Sequence, residues 1–185
     1  AKIAHQQLKN NPDLAHYLVE RKIDSQIKNG IIGFLDGYYT FPIRNEYEEI
    51  QGIVARASPT IETAYNRYTV SKNCPIKLYV PNWRKILKAE EIYVCYGIID
   101  SWTLNLSGYD GLTGISGQEF SSEHLERFRK RIYIIPDKGE EKSAQNLQCK
   151  LGWRGMSLFL DWPDGTKDLN GLHQKYGLDS VSELI

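Results

Sequence analysis

Glu91-Ile92-Tyr93-Val94-Cys95-Tyr96-Gly97-Ile98-Ile99-Asp100 is the stretch whose reading decides the fold. Ile92 to Cys95 is a short apolar run of β-branched and aromatic residues, suited to a strand covered on both faces. Residues 98–107 then fit a helix. The pattern repeats: Leu112-Thr113-Gly114-Ile115, Ile132-Tyr133-Ile134-Ile135 and Met156-Ser157-Leu158-Phe159-Leu160 are further apolar runs, with segments 121–129 and 140–151 fitting helices between them. Strands spaced by roughly 20 to 25 residues, with helical crossovers, predict a mainly parallel four-stranded sheet flanked by helices.

Upstream the rhythm differs. Asn11-Pro12-Asp13 is a helix-start signal, and Leu14, Tyr17 and Leu18 recur at helical spacing, which predicts a helix over about 12–22. A second short helix begins near Asp24-Ser25 and gives way at Gly30 or Gly33 to a tight reversal at Asp36-Gly37. Tyr38 to Ile43 and Ile50 to Ala55 read as two paired strands, closed by Ser58-Pro59. The expected division is a small α+β module over 1–88 and the parallel α/β domain over 89–185.

The 185 residues carry 23 basic and 23 acidic side chains, so the net charge is zero and any polyanion site must be a local patch. Cys74, Cys95 and Cys149 form no C-x-x-C pair, which argues against a disulfide framework or zinc ribbon and fits a reduced cytoplasmic setting. The apolar runs are too short to span a bilayer, and no membrane partner is expected. His5, His16, His124 and His173 show no ligand spacing.

In an open parallel sheet, ligands gather outside the carboxyl ends of the strands. Here those ends carry Tyr96-Gly97 with Asp100 one turn on, Ser116-Gly117, Pro136-Asp137-Lys138-Gly139, and Asp161-Trp162-Pro163-Asp164 leading to Asp168. Asp100, Asp137 and Asp168 are therefore candidate ligands for a hard cation such as Mg²⁺. On spacing alone the preferred reading is that such carboxylates cap helices.

The order of these motifs resembles the Toprim-containing catalytic core of bacterial and phage-type DNA primases. Cys95-Tyr96-Gly97-Ile98-Ile99-Asp100 is similar to that family's strand ending in E-G-x-x-D; Ile134-Ile135-Pro136-Asp137-Lys138-Gly139 is similar to its D-x-D strand; Lys167-Asp168-Leu169-Asn170 is similar to its K-D-x-N segment. Tyr17-Leu18-Val19-Glu20-Arg21-Lys22-Ile23 resembles the Y-L-x-x-R-G-I opening of the core. Phe41-Pro42-Ile43-Arg44-Asn45, Gly52-Ile53-Val54-Ala55-Arg56, Asn66-Arg67-Tyr68 and Leu78-Tyr79 resemble its next landmarks. Each motif is weak alone; their shared order over nearly the whole chain is specific.

The resemblance implies catalytic roles for Asp100 and Asp137, metal ligation by Asp100, Asp137 and Asp168, and Mg²⁺ or Mn²⁺ as cofactor. It implies single-stranded DNA, nucleoside triphosphates and a replicative helicase as partners, and it places Arg44, Arg56, Arg67 and Lys72 beside the nucleic-acid and nucleotide groove, where arginine suits bidentate phosphate contact. Two family carboxylates are missing, because Tyr96 stands for the glutamate and Gly139 for the second aspartate. A phenol of ordinary pKa near ~10 is a poor substitute for a carboxylate at neutral pH. Glu140, Glu141 and Glu91 are the carboxylates within sequence reach of a replacement role.

The basic run 127–131 and Trp102, Trp153 and Trp162 are read as helix-end charge and as packing. The expected function is a primase-like replication protein that binds single-stranded nucleic acid with impaired or lost primer synthesis, a pseudo-enzyme. The alternatives are an active metal-dependent nucleotidyltransferase making RNA primers and a non-catalytic scaffold that docks a helicase.

Overall fold

The computed structural model describes residues 2–28, 31–63, 67–115 and 121–185. Gly30, Asn66 and the Ser116-Gly117 loop therefore lie outside the described residues. The chain forms two compact units, Ala1–Ile76 and Lys77–Ile185.

The first unit opens with three helices, α1 (Lys2–Asn10), α2 (Pro12–Glu20) and α3 (Ser25–Lys28). Pro12 starts α2 and buries Tyr17 and Leu18, but the helix ends two residues before the expected 22. Lys22 has already turned to a φ of 54°, outside helical space. No helix is expected from the sequence over α1, which buries only Ala4 and Leu8. Four antiparallel strands follow in the order β1 (Gly33–Leu35), β2 (Tyr38–Arg44), β3 (Ile50–Ala57) and β4 (Tyr68–Val70). Asp36-Gly37 forms the two-residue reversal between β1 and β2, with both residues at positive φ.

The second unit runs β5 (Leu78–Tyr79), α4 (Trp83–Lys88), β6 (Glu91–Cys95), α5 (Ile98–Leu106), β7 (Gly111–Gly114), β8 (Arg131–Ile134), α6 (Glu141–Leu151), β9 (Gly155–Ser157), α7 (Leu169–Tyr176) and α8 (Asp179–Leu184). The sheet order is β5-β7-β6-β8-β9. The four expected strands are present and mutually parallel, but the last is shorter than expected, since β9 ends at Ser157 and Leu158, Phe159 and Leu160 lie beyond it. A fifth, β5, adds an antiparallel edge by pairing Leu78 with Gly114, so segment 77–88 belongs to this unit. Ile92, Val94, Leu112, Ile132 and Ile134 are fully buried in the sheet. One side of it packs Tyr93, Cys95 and Ile135 against Leu104, Leu169, Leu172 and Val181 of the helices.

Two expectations are corrected. Segment 121–129 is not a helix; it makes one 3-10 turn at Ser122–Leu125. The remainder is held by side chains: the Phe128 carbonyl accepts from Arg154 Nη1 at 2.6 Å, and Arg127 stacks on the Trp83 ring. Trp153 is not a packing residue, since it is 81% exposed. Trp102 is buried and donates its indole N–H to the Tyr79 hydroxyl, and Trp162 packs half-buried on the core. No helix among the described residues is long and apolar enough to cross a membrane.

Candidate functional site

The chain leaves β6 through α5 to β7 on one side, then returns across β6 to β8 on the other. The carboxyl ends of β6 and β8 thus flank the point where strand order reverses, the place where an open α/β sheet gathers ligands. Asp100 comes from the segment after β6 and Asp137 from the segment after β8.

Gly97 caps α5 in extended conformation, and Asp100 sits in the first turn. The Asp100 Oδ2 lies over Gly97 so closely that a Cβ there would collide with it. A side chain at position 97 would push the Asp100 carboxylate from this position, a physical reason for the G-x-x-D spacing. Asp100 is buried, and its Oδ1 accepts from the Asn170 backbone N–H at 2.8 Å. The Asn170 side chain, also buried, donates to Thr103 Oγ1 at 3.1 Å. This network welds α5 to the start of α7. Asp168 caps α7, its Oδ1 accepting from Gly171 N–H at 2.6 Å.

Asp137 faces both. Burial, then the charges of Asp100 and Asp168, push its carboxyl up to about 7, opposed by Lys167. Lys138 N–H donates to the Lys167 carbonyl at 2.8 Å and ties the Asp137 loop to the Asp168 segment. Cys95 beneath them is buried, and its thiol is pushed well up, first by burial and then by Asp100. The three candidate aspartates are thus within electrostatic reach of one another.

No group of three or more His, Cys, Asp or Glu among the described residues is placed to hold a metal ion. Asp100 and Asp168 each give one carboxylate oxygen to a backbone N–H at the start of α7. Of the helix caps that spacing suggests, Asp168 caps α7, whereas α6 has Glu140 and not Asp137 at its N-cap. The donor chemistry suits a hard cation.

Tyr96, at the position of the family's glutamate, is buried, and its hydroxyl donates to Ser143 Oγ of α6 at 3.3 Å. Burial raises its pKa further from neutrality. Gly139 has a φ of 94°, and its N–H donates to Glu141 Oε1 at 3.0 Å. Of the substitute carboxylates, Glu141 is turned to that turn, which holds its carboxyl below the usual range. Glu91 begins β6, at the opposite end of the sheet, and accepts from the Tyr93 hydroxyl. Glu140 is the one whose charge acts on both Asp137 and Tyr96.

In the first unit the four basic candidates separate. Arg56 is buried, stacks on the rings of Tyr17 and Tyr68, donates to the Tyr68 hydroxyl at 2.6 Å and pairs with Glu62. Arg67 pairs with the same Glu62 and is half exposed. Arg44 and Lys72 lie at the other end of β2–β3, the former donating to the Glu48 carbonyl. The site residues that sequence reasoning passed over are Thr103, Ser143, Lys167 and Asn170; Lys167 and Asn170 carried a signal, as the first and last letters of K-D-x-N.

No family model matches the chain, and no curated protein matches it. Solved structures do. The RNA polymerase domain of Mycobacterium tuberculosis primase DnaG is 19% identical, with a TM-score of 0.66 over 94% of this chain and 65% of that one. The primase fragment of the bacteriophage T7 primase-helicase is 18% identical, TM-score 0.64, over 83% of this chain and 65% of that one. A DnaG primase catalytic domain bound to single-stranded DNA is 17% identical, TM-score 0.59, over 96% of this chain and 60% of that one. The chain therefore has the fold of a DnaG-type primase catalytic core, and it spans just under two thirds of the length of these structures.

Proposed function

We propose that the chain is a primase-like protein of DNA replication that binds single-stranded nucleic acid and whose primer synthesis is impaired or lost. The observation that carries this reading is Tyr96: where the primase pattern puts a glutamate beside the strand-end aspartates, this chain has a buried phenol bonded to Ser143. Gly139 removes a second carboxylate from the same loop edge and sits in a left-handed turn. The primase fold supports the replication setting, and a neighbour of the same fold is bound to single-stranded DNA.

Single-stranded DNA is the expected ligand, with Arg67, Lys72 and Arg44 as the accessible contacts of the first unit. Arg56 holds that unit together from inside, and its proposed role is to position its neighbours. A template-dependent primer assay with Mg²⁺ or Mn²⁺ tests the reading. Little or no synthesis alongside retained DNA binding is expected; robust synthesis abolished by Asp100→Ala overturns it.

That second outcome is the active nucleotidyltransferase, and one observation favours it. Glu140 acts electrostatically on both Asp137 and Tyr96, so it is positioned to stand in for the missing carboxylate. Glu140→Gln then abolishes synthesis together with Asp100→Ala.

A further inference from the structure

Trp153 is 81% exposed, more than any other large apolar side chain among the described residues. It lies in the single 3-10 turn Gly152–Arg154 between the end of α6 and the start of β9, and Gly155 of β9 pairs with Ile132 of β8. Trp153 therefore stands at the amino ends of the strands, the opposite end of the sheet from Asp100 and Asp137. Cations gather at that same end, around the exposed carboxylates of Glu90 and Glu91 at the entry to β6. Arg129 and Arg131 flank the entry to β8, both exposed. Between them, Lys130 Nζ donates to the carbonyls of Ile86 and Ala89 at 2.8 and 2.5 Å and pins α4 alongside. Arg84, Lys85 and Lys88 of α4 line an open cleft of about 440 Å³, completed by Asn82, Gly108 and Asp110 at the approach to β7.

Ordinary surface chemistry accounts for part of this. Lys85 and Lys88 in the last turn of α4 complement its dipole. It does not account for Arg84, Arg129 and Arg131, exposed side chains that enter no ion pair among the described residues, nor for a bare indole among them. An exposed indole at the same end of a sheet as unpaired guanidinium groups is a combination that recognises unpaired bases: the ring stacks and the cations take the phosphates.

We propose that the amino-end face of the second unit is a separate binding surface for single-stranded nucleic acid, with Trp153 stacking a base and Arg129, Arg131 and the α4 cleft holding phosphates. Three strand spacings separate the start of β7 from the start of β9, ~14 Å, enough for two or three nucleotides to cross. The surface goes beyond the proposed function, because it lies away from the carboxylates and needs no primer synthesis.

The test is titration of the full chain with a thymidine homo-oligomer of about 20 nucleotides at low salt, followed by indole emission. Trp83 and Trp102 are buried and Trp162 is half-buried, so the long-wavelength emission that disappears in Trp153→Ala is the part that reports Trp153. The oligomer quenches it; Trp153→Ala weakens binding about tenfold, and Trp153→Phe restores most of the loss. Arg129→Ser with Arg131→Ser flattens the dependence of affinity on salt. All three side chains are exposed, and unchanged thermal unfolding confirms that the variants fold. Unchanged affinity in Trp153→Ala overturns the surface. So does an equal loss for an abasic oligomer, which has no base to stack, or tighter binding of polyglutamate than of the oligomer. If Arg44→Ser, Arg67→Ser and Lys72→Ser together abolish binding while Trp153→Ala leaves it intact, this surface is refuted and the primase-like reading stands. If the reverse holds, the surface stands and the first-unit contacts of that reading fall.

Discussion

At neutral pH the Asp137 carboxyl is close to half protonated, since burial and the charges of Asp100 and Asp168 push it up to about 7. An unfolded chain releases that proton near ~4. Between these values the folded state binds more protons, so the contribution to stability is complete below the lower pKa and is lost as pH rises through the upper one. Asp137→Asn keeps the neutral form at every pH. Denaturant midpoints are expected to show a flatter profile between pH 5 and pH 8 and a gain of roughly 1–2 kcal/mol at pH 8, discounted for partial exposure. A variant profile parallel to the parent's rejects the carboxylate cluster as its cause. The residue-level departures at Tyr96 and Gly139 make a second prediction. Open space surrounds a Cβ at Gly139, but its φ of 94° makes Gly139→Asp cost about 1 kcal/mol. Tyr96→Glu removes a buried ring and costs more. The double variant is therefore less stable than the parent, and calorimetric titration with Mg²⁺ is expected to show tighter binding than in the parent. If binding is no tighter, the ligand edge has been misplaced. Asp100, Asp137 and the two departures were legible as letters of a motif. That Asp100 joins Asp168 at the N-terminus of α7 was not, because the Asn170-to-Asp100 contact joins residues far apart in sequence.

At the scale of elements, α7 depends on Asp168. Removing the cap with Asp168→Ala leaves the Gly171 N–H without its acceptor and costs about 1 kcal/mol. The same change removes one of the charges opposing Asp137, so thermal unfolding is expected to show a smaller loss at pH 8 than at pH 5; an equal loss means that the two carboxylates do not interact. In the first unit, Arg56 of β3 bridges Tyr17 of α2 and Tyr68 of β4. Arg56→Ala strips a buried cation from two rings and from Glu62 and is expected to destabilise by about 3 kcal/mol, whereas Lys72→Ala leaves the denaturation midpoint unchanged. A stable Arg56→Ala protein with weakened DNA binding reverses that assignment. Elements with strong local signals were readable, above all the strands around Val94 and Ile134 and the helix begun by Pro12. Those resting on distant partners were not. The short polar helix α1 offers only Ala4 and Leu8 to a core, β5 exists because Gly114 and Thr113 lie beside it, and residues 126–129 look helical until Trp83 and Arg154 claim them.

For the whole molecule, a formal charge of zero conceals a partial segregation within the second unit. Asp100, Asp137, Glu140 and Asp168 lie toward the carboxyl ends of the strands with Lys138 and Lys167 beside them, while Arg129, Arg131, Arg84 and Lys85 lie toward the amino ends together with Glu90, Glu91 and Asp110. Counts of charge could not reveal this, since opposite signs cancel in the sum and are separated only by strand direction. Separation matters because exposed charges are screened over about 10 Å at 0.1 M salt, so a sulfonate resin responds to the face it touches rather than to the total. The parent is expected to be retained on a cation exchanger at pH 7 and low salt despite its zero charge. Arg129→Glu with Arg131→Glu changes the total by −4, two for each reversal, and is expected to abolish retention. Lys2→Glu with Lys9→Glu, on the exposed side of α1, makes the same −4 change and is expected to lower the elution salt only slightly. If both pairs shift elution equally, retention follows net charge, and the basic side chains at the amino ends do not act together as a face.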